Sequence, residues 1–300
     1  MKKIIFGAIG IISIIAIFLV SFSGQSDFSN MEEESVQDIV FDLNYNPGGN
    51  RINIETSDIF LQYTYEEDLN EDMSFRYSWF EPKKESLSTI SELKNIGKTV
   101  VILPVFTHSA YTTNGFYDYY RGDCGEECLT VKIDRVQPPQ HNSGKNAIQV
   151  LKLLEYEMVS DIDIHKNPES LALYDKVILL HNEYVTREMF DAIDLHSNVV
   201  YLYPNALYAE VVYNEQTDEI TLVRGHGYPT SLVDNGFDWE FDNTRPDEFD
   251  TECANWKWRE IDNGYQLNCY PENIIWKNLL LPIRSQGVTI WGSLFPKYFL

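Results

Sequence analysis

The chain has 300 residues, of which 44% are hydrophobic, and this is enough apolar material for a large core in one or two domains. Acidic residues outnumber basic residues 46 to 23, and the resulting net charge of −23 repels the phosphate backbone of nucleic acids. Composition and charge therefore argue against an intrinsically disordered chain and against a nucleic-acid partner.

The amino terminus has the pattern of an export signal. Two lysines follow the first methionine, and an apolar run without a charged residue extends from Ile4 to Val20. This run is long for a cleaved signal peptide and short for a membrane span, so residues 1–24 are predicted to be a signal peptide or a membrane anchor. In either case the rest of the chain lies outside the cytoplasm, secreted or held at the outer face of the membrane, and contacts the membrane only through this segment.

A polar tether and a β-rich segment are predicted next. Residues 25–36 are polar and acidic, which is typical of a stretch without a fold of its own. Residues 37–98 contain strand-like stretches at 38–43, 52–54 and 59–65, and they are predicted to form a small β-rich preface.

Residues 99–300 are predicted to form the main domain. Residues 100–105 are a continuous apolar and mostly β-branched run, which is typical of a strand buried on both faces. A long polar and aromatic loop follows at residues 106–117, and loops of this length after buried strands commonly carry function. A helix is predicted at residues 145–155, with Asn142 or Ser143 as its cap.

The centre of this domain repeats the same order of elements. A strand is predicted at residues 159–164, a short helix begins at Pro168, and a further apolar strand at residues 177–180 is followed by a helix capped by Thr186. Strands that alternate with helices predict right-handed βαβ units, and hence an α/β fold with a doubly wound, mostly parallel sheet. After Tyr208 the pattern is β-rich again, with a hairpin signal in the Asp-Asn-Gly sequence at residues 262–264.

Polar side chains follow three of the predicted strands. They are Thr107, His108 and Tyr111 after the first, His181 and Glu183 after the third, and Asn205 and Tyr208 after the fourth. Ligands of parallel α/β sheets bind beyond the carboxyl ends of the strands. A carboxylate with phenolates suits a hard, Lewis-acidic ion such as ferric iron, and histidine suits a ligand or a general base. The alternative is that His181 and Glu183 cap a helix or bond to the backbone while the tyrosines pack, and the residues alone leave both open.

The standard catalytic signatures are absent from the sequence. It has no G-x-S-x-G nucleophile elbow, no glycine-rich phosphate loop and no two-histidine zinc helix. None of the four cysteines follows a predicted parallel strand, which argues against thiol catalysis. An even number of cysteines in an exported chain indicates disulfides, so we predict that Cys124 pairs with Cys128 and Cys253 with Cys269. A metal site at Cys124 and Cys128 is less well supported, because two further ligands are not nearby.

Four segments resemble, in the same order, the C-terminal domain of the N,N-dimethylformamidase large (β) subunit family. They are residues 107–117, 131–135, 159–165 with 181–184, and 205–208. The resemblance implies a class I glutamine amidotransferase-like, flavodoxin-like fold, in agreement with the alternation of strands and helices. It also implies formamide hydrolysis at a mononuclear iron held by two tyrosines and a glutamate. Glu183 matches the glutamate, and Tyr111 and Tyr117 lie in the tyrosine-bearing loop that matches a family motif.

Two functions are consistent with these patterns. The first is an exported metal-dependent hydrolase that acts on an amide or formamide bond of a small molecule. Its predicted catalytic residues are Glu183, His181 and His108, its iron ligands Glu183, Tyr111 and Tyr117, and its substrate contacts Thr107, Asn205 and Tyr208. The second is a catalytically inactive, amidotransferase-like surface domain that binds a small molecule or a protein partner.

Overall fold

The structure is a computed structural model that describes residues 51–70, 73–95, 97–135, 144–254 and 257–277. The predicted export segment, the tether and the predicted strand at residues 38–43 lie outside the described residues. The predicted helix caps Asn142 and Ser143 also lie outside them.

The described residues form thirteen strands and seven α-helices. The strands are β1 (Arg51–Thr56), β2 (Phe60–Asn70), β3 (Met73–Pro82), β4 (Thr99–Leu103), β5 (Thr130–Lys132), β6 (Glu157–Ser160), β7 (Lys176–Leu179), β8 (Tyr184–Val185), β9 (Val199–Tyr201), β10 (Ala209–Asn214), β11 (Glu219–Arg224), β12 (Trp258–Ile261) and β13 (Gly264–Leu267). The helices are α1 (Leu87–Leu93), α2 (Val105–Ala110), α3 (Phe116–Arg121), α4 (Lys145–Leu153), α5 (Asp161–Lys166), α6 (Arg187–Asp194) and α7 (Thr244–Asp247).

The strands form three sheets. β1, β2 and β3 form an antiparallel sheet. β5, β11, β10 and β8 form a mixed sheet, in which β10 pairs antiparallel with β11 and parallel with β8. The third sheet has six strands in the order β12-β13-β9-β7-β4-β6, where the β12–β13 hairpin is antiparallel and the other neighbours are parallel.

The predicted fold class, a doubly wound and mostly parallel α/β sheet of the class I glutamine amidotransferase-like or flavodoxin-like type, is wrong. The fold is β-rich and combines mixed and antiparallel sheets. An apolar run shows that a strand is buried, but it does not show which neighbours the strand pairs with or in which direction. Hydrophobic patterns therefore predicted a doubly wound sheet with β-rich additions at both ends, but not the mixed and antiparallel pairing that the described strands have.

Two local predictions are also wrong. The strand predicted at residues 159–164 ends at Ser160, where α5 begins. Ser160 Oγ accepts a hydrogen bond from the Asp163 N–H (3.1 Å), and Asp163 Oδ2 accepts one from the Ser160 N–H (3.0 Å). This capping box starts a helix inside an apolar and acidic alternation that resembled a strand. The loop predicted at residues 106–117 contains most of α2 and the beginning of α3.

Other local predictions are confirmed. The helix predicted after Thr186 is α6, for which Thr186 is the N-cap and Met189, Phe190 and Ile193 are the buried residues. The helix predicted at residues 145–155 is α4, which ends at Leu153. The Asp-Asn-Gly hairpin is the turn between β12 and β13.

The six-stranded sheet is covered on both faces. Val100 and Ile102 of β4 belong to one hydrophobic cluster, together with buried residues of α2, α5 and α6. Val101, between them, belongs to a second cluster that includes residues of α1 and α4. Successive side chains of a strand point to opposite faces, so the two clusters lie on opposite sides of the sheet. Side chains just beyond the strand ends therefore lie at the margin of a large core.

Candidate metal centre around Glu183

Glu183 lies in the connection between β7 and β8, where hydrogen bonds fix the main chain. Asn182 Oδ1 accepts a hydrogen bond from the Leu180 N–H (3.0 Å) and folds the chain back at the end of β7. The Glu183 carbonyl accepts hydrogen bonds from the backbone N–H groups of Tyr208 (3.0 Å) and Ala209 (2.9 Å). The main chain of Glu183 is thus anchored at the start of β10, and its side chain is fully buried.

A tight turn between α2 and α3 brings two tyrosines together. Tyr111 is the C-cap of α2, and Tyr117 lies in the first turn of α3. A Cβ at Gly115 would approach the Ala110 carbonyl oxygen to 2.4 Å, so the turn needs a residue without a side chain. The Tyr111 and Tyr117 rings stack with their centroids 4.2 Å apart.

The three side-chain groups converge on one point. The Tyr111 hydroxyl donates a hydrogen bond to Glu183 Oε2 (2.8 Å), and the Tyr117 hydroxyl donates one to Glu183 Oε1 (3.1 Å). The two hydroxyl oxygens are 2.8 Å apart. We call Tyr111, Tyr117 and Glu183 the oxygen cluster.

Two histidines flank the oxygen cluster. His181 Nε2 lies 3.5 Å from Glu183 Oε2, and His226 Nε2 lies 3.9 Å from Glu183 Oε1. The His226 ring stacks on the Tyr120 ring with centroids 4.0 Å apart. His226 is partly exposed whereas Glu183 and His181 are buried, so His226 stands on the solvent side of the cluster.

Sequence reasoning missed His226. It lies between Gly225 (φ +117°) and Gly227 (φ +79°), and its own φ of +53° is in the left-handed region. A Cβ at Gly225 would approach the Ala209 Cα to 2.8 Å, so the turn packs closely against the start of β10. The Gly-His-Gly sequence indicates a tight turn. It does not indicate that the turn faces a residue more than forty positions earlier in the chain.

Burial sets the protonation of the oxygen cluster. It raises the pKa of Glu183 to about 8, although the hydrogen bonds from Tyr111 and Tyr117 act in the opposite direction. Burial, and then the charge of Glu183, also raise the pKa of Tyr111 and of Tyr117. Without a cation, burial therefore favours the protonated form of each of the three groups. A bound cation favours the deprotonated forms, because they are the better ligands.

The spacing of the oxygen cluster fits a metal ion. Bonds of about 2 Å in a six-coordinate site place neighbouring ligand oxygens about 2.8 Å apart. The distances of 2.8, 2.8 and 3.1 Å within the cluster agree with this value. Among the residues that the structure describes, no group of three or more His, Cys, Asp and Glu side chains could hold a metal ion. A metal ion at this site would therefore depend on phenolic oxygens.

Comparison with protein families shows which family the chain belongs to. A model described as N,N-dimethylformamidase beta subunit-like, C-terminal, matches residues 84–273, which is more than half of the sequence. The chain belongs to this family. The dimethylformamidase-like domain contains the whole oxygen cluster, both flanking histidines and both pairs of cysteines. No curated protein matches the chain.

The remaining predicted site residues of the dimethylformamidase-like domain differ in their surroundings. Thr107 Oγ1 accepts a hydrogen bond from the Tyr184 N–H (3.1 Å), so its hydroxyl helps to position the residue after Glu183. Tyr208 is buried, and its ring lies 5.6 Å from the His226 ring. Asn205 is buried with φ +65°, and its Oδ1 has no hydrogen-bond partner among the described residues. His108 Nε2 faces Asp134 Oδ2 at 3.3 Å, which gives it a carboxylate partner other than Glu183.

The cysteines of the dimethylformamidase-like domain are paired as predicted. Cys124 is joined to Cys128, and Cys253 to Cys269. Two disulfides are consistent with an extracellular protein. In the part of the chain that the structure describes, no helix is both long and apolar enough to cross a membrane.

Proposed function

We propose that this chain is an exported, metal-dependent hydrolase of a non-peptide carbon–nitrogen bond, with an amide or formamide as substrate. The observation that carries the proposal is the convergence of the Tyr111, Tyr117 and Glu183 oxygens within 3.1 Å, inside a dimethylformamidase-like domain. A purely structural network of this kind would bury a carboxylate whose pKa is raised, at a cost to stability that a bound cation would remove.

Iron is the metal that the donor set favours. Two phenolic oxygens and one carboxylate are hard, anionic ligands, which suit ferric iron. Protein zinc sites are usually built from cysteine and histidine. Tyr111, Tyr117 and Glu183 would hold a ferric ion, which would supply Lewis acidity to the reaction.

His181 is our choice for the proton-transferring group. Its Nε2 faces Glu183 Oε2 at 3.5 Å, and its Nδ1 lies 3.4 Å from the Tyr270 hydroxyl, which fixes the direction of the ring. As water adds to the substrate carbonyl carbon, Nε2 accepts the proton that the water loses. The same atom returns the proton to the nitrogen as the carbon–nitrogen bond breaks, and the products are a carboxylic acid and an amine.

Asn205 is our choice for a substrate contact. It lies in the segment between β9 and β10, three residues before Tyr208, whose N–H group binds the Glu183 carbonyl. A buried side-chain amide oxygen without a protein partner is costly, and a ligand N–H group would remove that cost. Thr107 and Tyr208 would then act mainly by shaping the site.

The proposed location follows from the cysteines and from the amino-terminal sequence. The two disulfides favour an oxidising compartment. The apolar run before the described residues would direct export, either as a cleaved signal or as an anchor at the outer face of the membrane.

Metal content and hydrolysis test the proposal together. The full chain would be produced through an export pathway, in medium that contains iron and zinc, and purified without a histidine tag. We expect stoichiometric iron, a visible charge-transfer band from tyrosinate bound to iron, and release of amine from N-methylformamide or a related small amide with an N–H group. A dipeptide serves as the control that should not be cleaved. Folded protein that carries neither metal nor amidase activity would overturn the proposal and favour a catalytically inactive binding domain.

A further inference from the structure

A cavity separate from the oxygen cluster has a volume of about 590 Å³. Its lining comes from α6, from residues 237–241 and from the turn of the β12–β13 hairpin: Phe190, Asp194, Phe237, Asp238, Trp239, Glu240, Phe241, Asp262 and Asn263. None of these residues belongs to the oxygen cluster or touches Glu183 in the contacts described above. The volume falls within the range of sites that bind small organic molecules. We call this region the aromatic–acidic cavity.

One wall of the cavity is aromatic and closely packed. Phe190 and Phe237 stack with centroids 4.2 Å apart and planes 3° from parallel. Trp239 meets Phe190 edge-on at 6.4 Å and Phe241 edge-on at 6.0 Å. Phe190 and Trp239 are each 8% exposed, so the wall continues into the core behind it.

The rest of the lining is acidic. Asp194, Asp238, Glu240 and Asp262 are exposed at the cavity, and none of the lining residues that the structure describes is a lysine or an arginine. The chain as a whole carries a net charge of −23. Arg224 offsets the charge of Asp238, and the remaining carboxylates Asp194, Glu240 and Asp262 favour a cation over an anion at the cavity.

Two arginine side chains contact residues of the cavity lining. The Arg187 guanidinium lies over the Phe237 ring, 4.5 Å from its centroid. Arg224 Nη2 donates a hydrogen bond to Asp238 Oδ1 (2.7 Å). An aromatic ring and a carboxylate of the cavity thus each contact a guanidinium group in the structure. Both kinds of contact are ones that an organic cation could make.

Trp239, a residue of the lining, carries a hydrogen-bond donor without a protein acceptor. The Trp239 indole Nε1 is buried and has no hydrogen-bond partner among the described residues. A buried indole N–H group usually finds an acceptor. Because Trp239 lines the cavity, a small rotation of its ring would bring this N–H group within reach of an oxygen atom of a ligand there.

We propose that the aromatic–acidic cavity binds a small organic cation that carries a hydroxyl or ether oxygen. The positive group lies among Asp194, Glu240 and Asp262, its alkyl groups contact the aromatic wall, and its oxygen accepts the Trp239 N–H hydrogen bond. Aromatic walls with nearby carboxylates are the usual means of recognising alkylammonium groups. This site is independent of hydrolysis at Glu183.

Calorimetric titration of the full chain with choline tests the proposal directly. Choline has an alkylammonium group and a hydroxyl group, and its neutral carbon isostere has a tert-butyl group in place of the trimethylammonium group. We expect saturable binding of choline and binding of the isostere that is at least about tenfold weaker. Tetramethylammonium, which lacks the oxygen, should bind more weakly than choline. Absence of saturable choline binding, or equal binding of the isostere, would overturn the proposal.

Variants locate the binding site. Asp262→Asn and Glu240→Gln should each weaken choline binding about threefold or more, because each removes a charge from the lining. Asp191→Asn is the matched control, since Asp191 is exposed on α6 but does not line the cavity. Trp239→Phe should reduce choline binding to the level of tetramethylammonium while tetramethylammonium binding is unchanged. If the control weakens binding as much as Asp262→Asn does, the binding reflects net charge and the proposed site is wrong.

Discussion

The oxygen cluster and the aromatic–acidic cavity are built from the same kinds of side chain, carboxylates and aromatic rings, but they differ in burial. Glu183 is fully buried, and burial raises its pKa to about 8. Asp238 is exposed at the cavity, and the hydrogen bond from Arg224 lowers its pKa. The pKa values of these two carboxyl groups are therefore shifted in opposite directions.

This difference determines which cation each site suits. A buried carboxylate gains most from a cation bound directly to its oxygens, because no water screens the interaction. An exposed carboxylate remains charged in water and adds a weaker, screened attraction for a larger cation. The aromatic residues of the two sites also differ in the atoms that they offer to a cation. The oxygen cluster offers phenolic oxygens, and the cavity offers ring faces. The following variants test this contrast, from the largest expected effect to the smallest.

Glu183→Gln should remove the metal and abolish hydrolysis while the fold is retained. A neutral amide is a much poorer ligand for a hard cation than a carboxylate, although its shape is nearly the same. Elemental analysis measures the metal, and far-ultraviolet circular dichroism checks the fold. Glu188→Gln is the control, because the Glu188 side chain on α6 is 55% exposed. Stoichiometric metal in Glu183→Gln would mean that Glu183 is not a ligand.

Tyr117→Phe should weaken metal binding by at least about tenfold and reduce the visible charge-transfer band. The change removes one of the three oxygens and keeps the ring that stacks on Tyr111. Tyr120→Phe is the matched control, since the Tyr120 hydroxyl bonds to the Tyr184 hydroxyl (3.4 Å) and is not part of the oxygen cluster. Equal losses in the two variants would indicate that the Tyr117 hydroxyl has no specific role in metal binding.

Asp161 shows how burial alone changes the pKa of a carboxyl group, because no tyrosine hydroxyl bonds to it in the described contacts. Its carboxylate is fully buried and accepts a hydrogen bond from the Phe106 N–H (2.8 Å), and burial raises its pKa well above 3.8. The folded state therefore binds the Asp161 proton more tightly than the unfolded state does. The stabilisation from that proton is complete below about pH 4 and is lost as the pH rises through the raised pKa.

Asp161→Asn should reduce this loss of stability. Between pH 4 and pH 8, the unfolding free energy of the variant should fall by at least about 1 kcal/mol less than that of the original chain. Urea unfolding at a series of pH values measures the difference. Asp163→Asn is not a suitable control, because Asp163 forms the capping box of α5. Asp191→Asn, on the exposed side of α6, is suitable. Parallel pH profiles for Asp161→Asn and the original chain would show that the buried carboxyl does not carry the effect.

Arg187→Lys should have the smallest effect, a loss of about 0.5–1 kcal/mol in the free energy of unfolding. Lysine keeps the charge but loses the planar contact with the Phe237 ring and the two hydrogen bonds to Glu210. Arg121→Lys is the control, since Arg121 pairs with Asp118 and Asp123 and has no aromatic ring beneath it in the described contacts. A larger loss of unfolding free energy in Arg121→Lys would mean that the contact with the Phe237 ring does not contribute to stability.

Local elements could be predicted from the sequence where periodicity and caps agree. Thr186 is followed by apolar residues at helical spacing, and α6 begins where this pattern predicts. The Ser160 and Asp163 capping box was equally visible in the sequence, but the apolar and acidic alternation of residues 159–164 favoured a strand. A short alternation is compatible with either element, and in this case the cap decided the outcome.

Sheet pairing and the full surroundings of Glu183 could not be predicted in the same way. β8 has two residues and joins β10 through Tyr184 and Ala209, a pairing that no local pattern indicates. Glu183 and Tyr111 could be predicted because they follow predicted strands, and the segments of Glu183, Tyr111 and Tyr117 resemble family motifs. His226 lies in a turn that only tertiary packing brings to Glu183, so no motif nearby could identify it.

The oxygen cluster also joins distant parts of the chain. Tyr111 is 72 residues from Glu183 in the sequence, and Tyr117 is 66 residues from it. A cation that binds all three oxygens in the folded state, and none of them strongly in the unfolded state, would act as a reversible cross-link that closes these loops. Its contribution to stability would grow with the logarithm of the free cation concentration. The supply of metal would then set how much of the chain stays folded, in addition to how much of it is active.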